Sequence, residues 1–257
     1  MKKKLVSIML VAAMALSVAA CGSSKGNSAK TDGTEAMASS VSKTPDNQIS
    51  INLASEPQTI DPALNSAVDG GCMIVNSFAG LYTYDKDGKL IPQLASDMPE
   101  VSDDETVYTV KMIKSQWSNG EPVTADDFLF GMQRAVQPST RSSLASQLFD
   151  IVGAEDNNEG WAELSSLGVR VQDDRTLIIT LREPNDAFPE RVASTPFMPC
   201  NREFFEYTAG RYGLEKAYVL TNGPFSLGAW NHGQSLLLPG MKIGCWAPSW
   251  KRYPFSG

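Results

Sequence analysis

Residues 117–128 read Trp117-Ser118-Asn119-Gly120-Glu121-Pro122-Val123-Thr124-Ala125-Asp126-Asp127-Phe128. The first four are a turn signal, because Gly accepts the positive φ that side-chain-bearing residues resist. Thr124 then stands where a helix N-cap belongs, and Asp127, three residues on, completes a capping-box-like pair. Asp126 and Asp127 suit the positive end of a helix dipole. Phe128, Met132, Ala135 and Val136 follow at i, i+4, i+7 and i+8, an apolar stripe that predicts an amphipathic helix ended by Pro138.

On either side of this turn and helix the period changes from 3.6 to 2. Residues 106–113 alternate, with Tyr108, Val110 and Met112 on one face. Residues 169–181 read as a hairpin: Val169 and Val171 alternate, Asp173-Asp174-Arg175 turns, and Leu177, Ile179 and Leu181 alternate back. Upstream, Met73, Ile74, Ser77, Phe78 and Leu81 recur at helical spacing. Gly80 marks the exit, and Asp85-Lys86-Asp87-Gly88 closes a second hairpin that begins Leu81-Tyr82-Thr83-Tyr84. Residues 50–54 are expected to form a strand with Ile51 and Leu53 on one face. Residues 55–62 hold two prolines and read as an extended loop. Downstream, residues 201–212 are expected to be helical, 222–224 a turn and 225–230 a strand. Strands and helices mix without a regular βαβ repeat, so the expected class is α/β.

The N-terminus differs from this body. Lys2, Lys3 and Lys4 precede an uncharged, mostly apolar run over residues 5–20. That run is short for a membrane span, which takes about 20 apolar residues, and suits a signal-peptide core. It ends Val18-Ala19-Ala20-Cys21, which resembles the lipobox of bacterial lipoproteins. Residues 1–21 are therefore expected to be a lipoprotein signal peptide and lipobox. Cleavage before Cys21 would leave a thiol for diacylglycerol and an amine for acylation. Residues 22–47 are rich in Ser, Gly, Lys, Thr and Ala and read as a flexible tether. A folded body outside the bacterial cell membrane follows as the expectation. The net charge is −7, and loss of the three lysines with the leader makes it about −10. Such a surface repels phosphate backbones, which argues against a nucleic-acid partner.

Taken in order, residues 55–62, 80–95 (Gly80-Leu81-Tyr82-Thr83-Tyr84 through Pro92-Gln93-Leu94-Ala95), 117–128, 173–177 and 221–225 (Thr221-Asn222-Gly223-Pro224-Phe225) resemble the peptide/nickel/oligopeptide-binding family of bacterial solute-binding proteins, family 5. The resemblance runs over about residues 48–238. It implies a periplasmic-binding-protein-like clamshell of class II with an extra small domain. Lobe I would hold 48–66 and 181–238, and the extra domain 67–180, with the second lobe missing. It also implies an ABC importer that captures oligopeptides and passes them to a membrane permease with ATPase subunits. The protein would act as a lipid-anchored monomer, with no cofactor and no catalysis. By the same resemblance Glu56 and Gln58 lie where lobe I meets ligand, and Asn222 and Gly223 line the same cleft. From the residues alone, Glu56 also reads as a solvated loop carboxylate and Asn222-Gly223 as a structural turn. An extended peptide suits strand-like backbone bonding, which residues 55–59 could offer.

Trp117 reads as core or turn packing rather than a ligand platform. His232, the single histidine, follows Trp230-Asn231 on an expected exposed turn and reads as structural. Asp103-Asp104, Asp126-Asp127 and Asp173-Asp174 are adjacent in sequence, unlike a glycosidase pair converging across a cleft. No Walker A loop occurs, so the ATPase belongs to another subunit. Cys72 and Cys200 fit no metal spacing and are either two buried thiols or a bridge. Residues 239–257 hold three basic residues, no acidic ones, two Trp and three Pro, and are expected to be an out-of-frame tail behind an N-terminal half. Two other readings stay open: a nonfunctional truncated fragment, and a lipoprotein adhesin or receptor on the same fold.

Overall fold

The structure, a computed structural model, describes residues 42–43 and 48–241. Cys21, the signal peptide, most of the tether and residues 242–257 of the expected tail lie outside the described residues. The chain divides into two units, 1–52 and 53–257. In the first, β1 (Ser42–Lys43) pairs antiparallel with β2 (Ile49–Ser50), Ser42 opposite Ser50 and Lys43 opposite Ile49. The strand expected over 50–54 is therefore corrected to a shorter one placed earlier. Residues 51–53 take no regular structure, and Ala54 has φ 66°, which extended backbone does not allow.

In the second unit, α1 (Val68–Ser77) buries Met73, Ile74 and Ser77. The helix ends at Phe78, so Leu81 is buried beyond it in the approach to β3. β3 (Tyr82–Tyr84) and β4 (Leu90–Pro92) form the expected hairpin, with Tyr82 opposite Pro92. Asp85 closes its turn by accepting from the N–H groups of Asp87 and Lys89, both at 2.9 Å.

The main sheet is antiparallel in the order β5 (Glu100–Val101), β6 (Val107–Lys111), β8 (Thr176–Thr180), β7 (Val169–Asp173). Tyr108 pairs with Ile179 and Val110 with Leu177, so the alternation places one apolar face inward. Against this sheet packs α2 (Ala125–Val136). Its capping box forms as the sequence predicts, with Thr124 and Asp127 exchanging side-chain-to-backbone bonds. Phe128, Met132, Ala135 and Val136 are fully buried. Gly131 allows a close crossing, because a Cβ there would lie 2.3 Å from the Met198 carbonyl oxygen. Trp117 is core: its ring is buried and its Nε1–H donates to Asp127 Oδ2 at 3.1 Å. Burial pushes the Asp127 carboxyl up, against the lowering effect of its bonds from Thr124 and Trp117.

The remaining elements are short: α3 (Ala154–Asn158), α4 (Phe188–Val192), α5 (Arg202–Tyr207), β9 (Ala229–Asn231) and β10 (Ser235–Leu237). The helix expected over 201–212 is thus six residues long. Asn201 caps it by accepting from the Phe204 N–H, and Ala209 (φ 48°) and Gly210 (φ 85°) end it. The strand expected over 225–230 reduces to a bridge between Phe225 and Gly240 followed by β9. One core cluster runs from Ile60 and Phe78 through Tyr108, Trp117, Phe128, Leu181 and Phe188 to Leu227 and Trp230.

Candidate functional site

The loop over residues 55–61 is held from behind by buried groups. Ile60 N–H donates to the Gly213 carbonyl at 2.9 Å, and the Thr59 hydroxyl donates to the same oxygen at 3.2 Å. Gly213 has φ 79°, and a Cβ on it would sit 2.5 Å from the Asp61 nitrogen, so only glycine fits between them. Asp61 accepts from Arg134 of α2 through two bonds, Nη2 to Oδ2 at 2.7 Å and Nη1 to Oδ1 at 3.3 Å. Both side chains are buried. The guanidinium carbon stands 3.9 Å from the centre of the Phe205 ring. Burial opposes the Arg134 charge most strongly, but the Asp61 carboxylate, together with Cys200 and Tyr212, holds the guanidinium above its ordinary value. Cys200 lies beside this pair, 3.5 Å from Nη1, and burial pushes its thiol up to about 12. Such a thiol is inert at neutral pH. Cys72 is partly buried and also free, so the two cysteines are thiols and not a bridge.

In front, the same loop turns outward. Glu56 and Gln58 are exposed, with buried Pro57 between them. Glu56 reaches the turn between β9 and β10 and accepts three bonds there. Gly233 N–H donates to Oε2 at 2.7 Å, Trp230 Nε1–H donates to Oε1 at 3.1 Å, and His232 Nδ1 faces Oε1. The other His232 nitrogen, Nε2, faces Glu215 Oε2 at 3.0 Å. The imidazole stacks beside the Trp230 indole, with centroids 5.0 Å apart. The Gly233 N–H, followed by His232, holds the Glu56 carboxyl below its usual range. Glu215 and then Glu56 raise the His232 imidazolium above its ordinary 6.5. Residues 55–59 therefore form a rim fixed at both edges, with Ser55, Glu56 and Gln58 exposed on it.

Asn222 and Gly223 lie elsewhere, under the C-terminal end of α1. The Asn222 side chain accepts from Ala79 N–H at 3.0 Å and donates to the Ala79 carbonyl at 2.9 Å, so its amide stands in for a strand partner. It is completely buried. Gly223 N–H donates to the Ser77 carbonyl at 2.8 Å, and a Cβ there would lie 2.6 Å from the Ser77 carbonyl carbon. The structure thus brings Glu56 and Gln58 to one surface and places Asn222 and Gly223 apart from it, as anchors of the backbone at Ser77 and Ala79. His232, Trp230 and Glu215, which hold the rim, are not marked in the sequence. The one available sign is that the chain's single histidine sits in a turn two residues after a Trp.

A surface cavity of about 350 Å³ lies by Asp150, Arg182, Glu183, Pro184 and Asn185. Two of its charges are already engaged: Asp150 with Arg191 at 3.1 Å and Asn185 at 2.9 Å, and Arg182 with Glu155 at 2.8 Å.

Comparison with known proteins places this architecture. The chain is 34% identical to the oligopeptide-binding protein OppA of Bacillus subtilis over 93% of its own length and 42% of the relative's. The solved substrate-binding domain of an oligopeptide ABC transporter from Bacillus anthracis superposes with a TM-score of 0.70 at 36% identity, covering 73% of this chain and 37% of that one. Haemophilus influenzae OppA, solved in complex with the peptide RPPGFSPFR, gives 0.70 at 26% identity, over 74% of this chain and 37% of that one. The chain therefore spans under half the length of these relatives. The model of the bacterial extracellular solute-binding proteins, family 5, matches residues 89–239, more than half of the chain. With the mixed α/β fold and the rim in place, the chain belongs to family 5 of the bacterial extracellular solute-binding proteins.

Proposed function

We propose that this chain supplies one wall of a peptide-binding cleft in the capturing component of an ABC importer. The observation that carries the reading is the rim over residues 55–59: exposed in front, with Glu56 and Gln58 outward, and locked behind through Ile60, Asp61 and Gly213. A preorganised edge holds extended backbone at low entropic cost. In this reading Glu56 and Gln58 touch the ligand, while Asn222 and Gly223 act through the backbone they fix at Ala79 and Ser77. Residues 48–66 and 181–238 form lobe I and 67–180 the extra domain. The bound peptide passes to a membrane permease powered by separate ATPase subunits, and the protein works as a monomer.

A photoreactive derivative of RPPGFSPFR, with benzoylphenylalanine replacing one Phe, tests the rim. Labelling that maps to residues 55–59, is displaced by excess unlabelled peptide and falls in Glu56→Ala and Gln58→Ala supports the reading. Labelling only elsewhere, or labelling that unlabelled peptide does not displace, sinks it. We also propose that Cys21 carries diacylglycerol and anchors the protein at the cell membrane. Cells fed radiolabelled palmitate should label the wild-type chain and not Cys21→Ala, and the variant should leave the membrane fraction. Equal labelling of both would remove the anchor from the proposal.

A further inference from the structure

The turn between β9 and β10 carries a group that the peptide reading does not use. His232 presents both ring nitrogens to carboxylates: Nδ1 to Glu56 Oε1, and Nε2 to Glu215 Oε2 at 3.0 Å. Ionised carboxylates only accept hydrogen bonds, and a neutral imidazole has a single N–H. A neutral ring in this place would set a nitrogen lone pair against a carboxylate oxygen. Only the imidazolium satisfies both contacts, whichever tautomer the neutral ring would prefer.

The three partners come from three separate segments. Glu56 belongs to the rim, Glu215 to the stretch just after Gly213, and His232 to the hairpin turn. The charged groups facing the ring are these two carboxylates, and the Trp230 indole covers one side of it. We propose that His232, as the imidazolium, is a positioning residue for the Glu56 carboxylate, so that one proton clasps the rim to the β9–β10 hairpin. That peptide capture follows this proton rests on the peptide reading of the rim; the clasp itself rests on the geometry.

The raised His232 pKa fixes the sign. The folded chain binds this proton more tightly than the unfolded chain, so the clasp contributes fully below the ordinary histidine value of 6.5 and is lost as pH rises through the raised folded value. On the acid side Glu56 contributes above the ordinary carboxylate value of 4.5 and its contribution is lost as pH falls through the lowered folded value. The clasp is closed between those two limits. All three side chains are partly exposed, so salt weakens it. Above the window Glu56 loses its link through His232 to Glu215, and its bonds from Gly233 and Trp230, no longer held by that link, loosen.

Because the chain has one histidine, proton NMR of the imidazole Cε1–H reads its titration without assignment. The expected midpoint lies above 6.5 in the wild type and falls in both Glu215→Gln and Glu56→Gln. Hydrogen exchange of the Gly233 amide, corrected for intrinsic base catalysis, should show protection dropping severalfold through the same midpoint, with no such step in His232→Gln. A midpoint at 6.5 that neither Gln variant moves overturns the clasp. So does a Gly233 step that persists in His232→Gln. Affinity for RPPGFSPFR over the same pH range is read separately. If the imidazole and Gly233 behave as stated but the peptide never binds, the peptide reading fails and the clasp stands.

Discussion

Asn222 shows how one side chain holds backbone that no regular strand reaches. Its amide closes a two-bond pair with Ala79 and is fully buried. Asn222→Ala leaves a buried N–H and a buried carbonyl unpaired, at about 1–3 kcal/mol each. Urea denaturation should show a loss of that order; a loss under about 0.5 kcal/mol would mean that water replaces the amide. Asp61 and Arg134 form the other critical contact at this scale. Removing one partner strands a buried charge and should cost about 3–5 kcal/mol, whereas replacing both with leucine should cost distinctly less. Denaturation of Asp61→Ala, Arg134→Leu and the Leu/Leu double variant makes the comparison. A double variant as damaged as the worse single one would show that the pair contributes more than the cost of desolvating it.

At the scale of elements, α2 was readable because its signals are local. Thr124, Asp127 and the stripe from Phe128 to Val136 lie within one stretch of chain, and a capping box needs nothing beyond it. Thr124→Ala should lower stability by about 1 kcal/mol. Gly131→Ala should cost more despite its better helix propensity, because the added Cβ meets a backbone carbonyl at 2.3 Å. Thermal melts of the two variants should therefore rank Gly131→Ala below Thr124→Ala. The hairpins around Gly88 and Asp173-Asp174 were legible for the same reason as α2. The helix over 201–212 was not, because its apolar residues serve different partners. Phe205 lies beneath Arg134, Tyr212 packs with Phe204 and Phe205, and the positive φ at Ala209 and Gly210 lets the chain turn between them. The strand expected over 225–230 is only partly regular: Phe225 bridges Gly240, and the Ser226 and Gly228 N–H groups bond to the Pro239 and Leu237 carbonyls, but Pro239 has no N–H to return, so the ladder becomes regular only at β9.

For the whole molecule, the continuous core from Ile60 to Trp230 predicts that residues 53–241 unfold in one step. Trp fluorescence, to which buried Trp117 and Trp230 contribute the environment-sensitive part and exposed Trp161 little change, should coincide with far-UV circular dichroism through a urea transition. Separated midpoints would show that parts of this core melt independently. The sequence by itself determined the mixed α/β class, the hairpins, the capped helix and the family, because periodicity, turn chemistry and motif order are properties of neighbouring residues. The extended loop that carries Glu56 and Gln58 followed from its two prolines, but what fixes that loop did not. Glu56 meets a histidine 176 residues away and Asn222 grips a backbone 143 residues away. Contacts at such separations leave no period in the chain, so only tertiary structure could turn a lone histidine into the partner of a rim carboxylate and a candidate ligand amide into a buried anchor.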